Sequence, residues 1–141
     1  MKTRNTLITL ICASVLQSYG GEIIPTAVVE AVAQVEGGKT GSRIREKNGQ
    51  YSYGRWQISS AFLKDVNRHY GTKIRCVDVQ TKDFTARLVC ETGLAMIMKK
   101  RKCDLKTAVA VYNGGWRNRN SKQCRDYAKK VMALAKKGAT P

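Results

Sequence analysis

From Pro25 the apolar positions recur with a helical period: Val28, Val32 and Val35 fall on one side, and Val29 and Ala33 widen that stripe. Pro25 suits a first helical turn and Gly37-Gly38 supplies a stop, so the pattern predicts a helix ending at Glu36. The period then changes. Arg43-Ile44-Arg45 and Tyr51-Ser52-Tyr53 flank Asn48-Gly49, a two-residue turn signal, and together they predict a small β-hairpin. Ser59 caps a helix to about Tyr70, with Phe62, Leu63 and Val66 inward and Gly71 at its end. Residues 72–82 read as a polar connection. Asp83 opens a longer helix to about Lys99, with Phe84, Leu88, Ala95 and Met98 on one side and Met96 and Met98 as core filling. Gly93 interrupts it at a cost of about 1 kcal/mol relative to alanine, which a close helix–helix approach would explain. Asp104 caps a helix from Leu105 to about Asn113, with Leu105, Ala108, Val109 and Tyr112 inward and Gly114-Gly115 as its stop. A polar loop follows at 116–120. Ser121 caps a last helix to about Lys137, with Val131, Leu134 and Ala135 inward and Gly138 after it.

The elements make one mainly α (α+β) domain, and 43% hydrophobic residues among 141 are enough to bury its core. Residues 1–20 stand outside it. Lys2 and Arg4 precede an apolar run from Leu7 to Leu16, and Ser18 and Gly20 offer small residues for cleavage before Gly21. That is the pattern of a secretory signal, leaving 21–141 as the folded part and placing the protein outside the cell, in the periplasm or in the envelope. The run is short for a membrane span; an uncleaved anchor is the alternative. Cys12 falls in the signal, and the remaining Cys76, Cys90, Cys103 and Cys124 predict two disulfides in an exported chain, with three connectivities open. Zinc is the rival use of these cysteines, but no C-x-x-C spacing occurs and His69 is the only histidine, so disulfides come ahead of metal; no metal or cofactor is implied. Lys and Arg number 26 against 10 acidic residues, a formal charge of +16. Such a chain accumulates on polyanions: nucleic acid, anionic lipid or cell-wall polymer. Export argues against nucleic acid as the main target, and no zinc-finger or basic-zipper pattern appears. Taken singly, Lys99-Lys100-Arg101-Lys102 and Lys129-Lys130 read as solvated helix ends and faces. Nothing points to an obligate oligomer.

The candidate chemistry sits at Glu36. A carboxyl in the last turn of an apolar helix meets the negative end of the macrodipole and a desolvating surface, and both raise its pKa. A carboxylic acid so tuned can donate a proton near neutral pH. Val35-Glu36-Gly37-Gly38, then Tyr53-Gly54-Arg55-Trp56-Gln57-Ile58, then Ala110-Val111-Tyr112-Asn113-Gly114-Gly115 follow in order. This series resembles the lysozyme-like transglycosylase (SLT) family, whose members read as a helix ending in E-S/G-G, a loop, G-x-x-Q-I, and a later helix ending in A-Y-N-x-G. The resemblance covers roughly residues 24–115. It implies a lysozyme-like fold with a small β element beside a cleft, and Glu36 as the acid of a peptidoglycan-cleaving domain. It further implies that Gln57 contacts substrate, that Tyr112 faces the acid and orients it or the substrate, and that Asn113 belongs to the same block. Tyr51, Tyr53 and Trp56 are candidates for stacking on sugar rings, with a core role as the alternative for Trp56; Ile58 is expected in the core.

Glycoside hydrolysis ordinarily uses two carboxylates. The transglycosylases that the chain resembles use one glutamate, which protonates the glycosidic oxygen and then serves as base while the 6-hydroxyl of the sugar closes a 1,6-anhydro ring. Between Glu36 and Asp65 the only other acid is Glu46. Facing the cleft, it would permit lysozyme-type hydrolysis; paired with Arg43, Arg45 or Lys47 it is a hairpin salt bridge, the preferred expectation. Glu30 projects from another side of the helix, and Asp65 and Asp83 read as surface and cap residues. The expected activity is cleavage of the β-1,4 bond between N-acetylmuramic acid and N-acetylglucosamine. The rivals are a hydrolase using Glu36 and Glu46, a silent cationic wall-binding protein, and a cationic membrane-active protein.

Overall fold

The first helix, α1 (Thr26–Glu36), starts at Pro25, whose carbonyl accepts the amides of Val28 and Val29 at 3.0 and 3.3 Å. A computed structural model describes residues 23–138; the expected export signal over 1–20 lies outside the described residues. Gly37 closes α1 in the left-handed conformation (φ 63°), its N–H donating to Ala33 O at 3.0 Å. Val28, Val29, Ala31, Val32 and Ala33 are all buried, so α1 is covered on most sides rather than along one stripe. The last helix, α6 (Lys122–Gly138), packs along it.

A three-stranded antiparallel sheet follows, in the order β1 (Arg43–Arg45), β2 (Tyr51–Tyr53), β3 (Ile58–Ser59). The hairpin pairs Arg43 with Tyr53 and Arg45 with Tyr51. Its turn is wider than the expected two-residue Asn48-Gly49. Gly49 N donates to Glu46 O at 2.9 Å, Glu46 N to Gln50 O at 2.8 Å, and Gly49 takes φ 81°. That is a tight turn closed by a left-handed glycine, one of the common hairpin geometries, and Asn48 supports it by accepting from Gln50 N. The third strand is an addition to the expected hairpin.

Ser59 caps α2 (Ser60–Tyr70) by accepting Phe62 N at 3.1 Å, and Gly71 ends it. The expected polar connection contains a short helix, α3 (Cys76–Thr81), held at its start by Arg75 and Asp78. Next come α4 (Asp83–Arg101) and α5 (Leu105–Asn118), which Asp104 caps through Thr107 N at 2.8 Å. α5 breaks at Gly115 (φ 78°, ψ 168°), where the stop was expected, but resumes for one further turn. Ser121 caps α6 by accepting Cys124 N at 3.2 Å. The architecture is thus mainly helical with one small antiparallel sheet. Among the described residues no helix is long and apolar enough to cross a membrane.

Two expectations are corrected. The inner face of α4 is carried by Ala86, Val89, Cys90, Gly93, Leu94 and Ile97, whereas Phe84, expected inward, is 58% exposed at the helix start. The cysteines expected to form disulfides are free thiols. Cys76 starts α3, Cys90 is sealed within α4, Cys103 follows α4 with its thiol toward Ile97 O, and Cys124 lies in α6 against Asn113. Among these four no two are within bonding distance.

Gly93 admits the close approach that its position called for. A Cβ there would overlap the Phe62 ring of α2, and that ring is itself held edge-on to Tyr112 at 4.9 Å. Gly93→Ala should therefore lower stability by about 1–2 kcal/mol, overpacking of about 1–3 kcal/mol outweighing the helix propensity gained. Urea denaturation reads this; an unchanged or raised midpoint would mean that Phe62 yields.

Candidate active site

Glu36 is the last residue of α1, and its side chain is turned inward against α6. The Tyr127 hydroxyl, from α6, donates to Glu36 Oε1 at 2.6 Å. Burial raises the Glu36 pKa to about 6 against the ordinary 4.5; the Tyr127 hydrogen bond opposes this, and the charge of Glu46 adds to it. With Oε1 engaged by Tyr127, the proton of the acid form resides on Oε2, the oxygen left to donate it. Burial and the Glu36 charge in turn hold Tyr127 and Tyr112 well above the usual phenol range, so both stay protonated.

The three sequence blocks lock one another around this carboxyl. The position that a Cβ on Gly38 would take is filled by Gly54 O, the Gln57 amide and Arg55 O, so the chain leaving α1 lies directly on the turn before β3. Trp56 Nε1 donates to Val29 O at 2.8 Å, fastening that turn to α1. The Tyr112 hydroxyl donates to Trp56 O at 2.6 Å, fastening α5 to the same turn. Gln57, at φ 47°, donates its amide to Gly54 O at 2.7 Å and Ser42 Oγ at 3.2 Å.

These contacts revise several expected roles. Trp56 is 1% exposed and belongs to the core, so it cannot stack on a sugar. The Gln57 amide nitrogen is committed to its own loop, which makes Gln57 a shaping residue. Tyr112 lies close enough to feel the Glu36 charge, but its hydroxyl goes to Trp56 O rather than to the acid. Asn113 accepts from the Cys124 thiol at 3.6 Å, tying α5 to α6. Tyr53 is half-buried on the strand face opposite Ser52, beside Cys76 of α3, and Tyr51 shares that face under the Arg43 guanidinium. Glu46 is exposed and makes no ion pair among the described residues, so the expected salt bridge to Arg43, Arg45 or Lys47 is absent.

Tyr127 was not anticipated. It borders the buried stripe Cys124, Ala128, Val131 and Ala135 of α6, and an aromatic at that spacing reads as ordinary core packing. Only the long-range docking of α6 on α1 brings it to Glu36. A small apolar pocket lined by Val66, Tyr70, Leu88 and Val89 among others contains no carboxylate and none of these residues. Among the described residues no cluster of His, Cys, Asp or Glu could hold a metal. No family model, curated protein or solved structure matches the chain.

Proposed function

We propose that this protein is an exported peptidoglycan-cleaving enzyme with a lysozyme-like fold, acting on the β-1,4 bond between N-acetylmuramic acid and N-acetylglucosamine as a lytic transglycosylase. The observation that carries the reading is the Glu36–Tyr127 pair: a carboxyl whose pKa is raised to about 6, with one oxygen fixed at 2.6 Å from a phenol and the other left to deliver a proton. Near neutral pH a fraction of Glu36 is protonated, so it can protonate the glycosidic oxygen as the bond to the muramic acid C1 breaks. The resulting carboxylate then takes the proton of the 6-hydroxyl as that oxygen bonds to C1, and the acid is regenerated with no water consumed. The resemblance of the three motif blocks supports the substrate, and their mutual contacts around Glu36 support the assignment of that residue.

A second reading is favoured by one observation. Glu46 lacks an ion pair, and its charge acts on Glu36, so a hydrolase with Glu36 as acid and Glu46 as base or nucleophile fits as well. Mass spectrometry of products from purified peptidoglycan separates the two. Anhydro-muropeptides lost only in Glu36→Gln are expected; reducing-end products lost in both Glu36→Gln and Glu46→Gln would replace the first reading by the second.

The surroundings of Glu36 also predict opposed shifts in the pH profile. Tyr127→Phe removes a bond that favours the carboxylate, so the alkaline limb governed by Glu36 should move up in pH, with a roughly tenfold loss of rate for an acid less well positioned. Glu46→Gln removes a like charge and should move that limb down. Displacement of that limb in the same direction in the two variants would contradict this arrangement.

A further inference from the structure

Cations without acidic partners gather where α4 ends and α6 begins. Arg101, the last residue of α4, holds its guanidinium 4.8 Å from the centre of the Trp116 ring, and Arg119 holds its own 3.9 Å from the same ring. Arg119 is fixed further by Nη1, which donates to Trp116 O at 2.8 Å. The break at Gly115 places Trp116 here; φ 78° with ψ 168° is a conformation that glycine adopts without strain. Among the described residues neither guanidinium has a carboxylate within ion-pair reach. Asp104 is occupied in capping α5. Two like charges gathered on one indole repel each other, and attraction to the ring offsets only part of that repulsion. An anion beside either guanidinium would offset that repulsion.

The surroundings have the same sign. From Lys99 onward the chain carries thirteen lysines and arginines against two acids, Asp104 and Asp126. The turn bearing Arg119 runs into α6, which exposes Arg125, Lys129, Lys130 and Lys137. Its single acid, Asp126, is paired to Lys122 at 2.6 Å. At 1.5 Å per residue α6 is a cationic rod about 25 Å long. A monovalent ligand would use only the arginine pair, whereas a row of cations suits a chain of repeated anions. Guanidinium forks match phosphate oxygens better than a lone ammonium does. A lipid surface is a poorer match: among the described residues the exposed large apolar side chains, Ile23, Ile44, Val77 and Phe84, all lie outside this region.

We propose that Arg101 and Arg119, gathered on Trp116, form with the exposed cations of α6 a docking surface for a linear phosphodiester polymer attached to the bacterial wall. The choice of a wall-borne polymer rests on the cleavage reading above; the anion site itself does not. The inner face of the same helix presents Tyr127 to Glu36, so docking on the outer face leaves the acid's partner in place.

Sedimentation of the full-length protein with intact walls, and with walls stripped of phosphodiester polymer, tests the surface over a range of salt. Arg101→Gln and Arg119→Gln should each weaken binding to intact walls about tenfold and reduce the salt slope by about one, as loss of one phosphate contact does. On stripped walls variants and wild type should bind alike. The Arg→Lys pair, which keeps charge but not the fork, should lie between, and soluble polyphosphate should release the wild type. The proposal is overturned if wild type binds stripped walls as tightly as intact ones, if the folded double variant is unimpaired, if polyphosphate fails to compete, or if anionic vesicles or duplex DNA bind more tightly than intact walls. Phosphate-dependent binding without any muropeptide release would keep this surface and reject the cleavage reading. Cleavage with unimpaired binding by the variants would do the reverse.

Discussion

Glu36→Gln should reduce wall cleavage by about 10²–10⁴-fold, the contribution of a positioned general acid, while making the protein more stable at neutral pH. Both effects come from the same burial. The folded-state pKa of about 6 lies above the ordinary 4.5, so between these values the folded protein holds more protons than the unfolded chain. Stability must therefore fall as pH rises through that window. The cost is absent below about pH 4.5 and complete above about pH 6, where it amounts to roughly 2 kcal/mol at 1.36 kcal/mol per pKa unit. Glutamine keeps the shape, and its amide oxygen can still accept from Tyr127, but it carries no charge to desolvate. Denaturation at pH 8 should show the variant more stable than wild type, and at pH 4 the difference should vanish. Wild-type activity through this acid should fall tenfold per pH unit well above 6. A variant retaining activity within tenfold of wild type would remove Glu36 from the mechanism.

Trp56→Ala should cost about 3–5 kcal/mol, the loss typical of truncating a buried aromatic. For a domain of this size, with a total of about 5–15 kcal/mol, that leaves it marginal or unfolded at 37 °C. The indole is 1% exposed and its N–H is bonded to Val29 O, so truncation removes its buried packing and its tie to α1, while the main-chain carbonyl that accepts the Tyr112 hydroxyl remains. Trp56→Phe retains most of the buried area and loses the N–H bond, for a smaller cost of about 1–2 kcal/mol. Thermal unfolding with substrate kinetics separates this from a sugar-stacking role. A Trp56→Ala protein that melts normally but shows a raised KM would return Trp56 to the binding surface.

The elements with unambiguous local signals were legible along the chain. Pro25 and Gly37 bounded α1, Ser59, Asp104 and Ser121 capped their helices as expected, and Gly93 marked a real close approach. What escaped was decided elsewhere in the fold. α3 is six residues long with no apolar period, and it is stabilised by its Arg75–Asp78 contact and by packing on β2. Phe84 has the side chain of a core residue but sits at a helix start, 58% exposed among the described residues. The cysteines illustrate the limit of counting: four in an exported chain invite pairing, yet Cys90 and Cys124 serve as buried apolar groups. At the site, Glu36 was visible from the helix end that carries it. Trp56 and Gln57 were visible as a motif, but their work is to bind α1 and the loop together, which spacing alone does not distinguish from binding a ligand.

The Glu36–Tyr127 bond joins residues ninety-one positions apart and depends on the last helix. Undocking of α6 would take the Tyr127 hydroxyl away from Glu36. Burial is what raises this carboxyl, while the phenol that α6 supplies opposes the rise. The acid strength of a residue on the first helix is thus set jointly with a helix far along the chain, so a substitution that loosens α6 should be felt in the chemistry as well as in the fold.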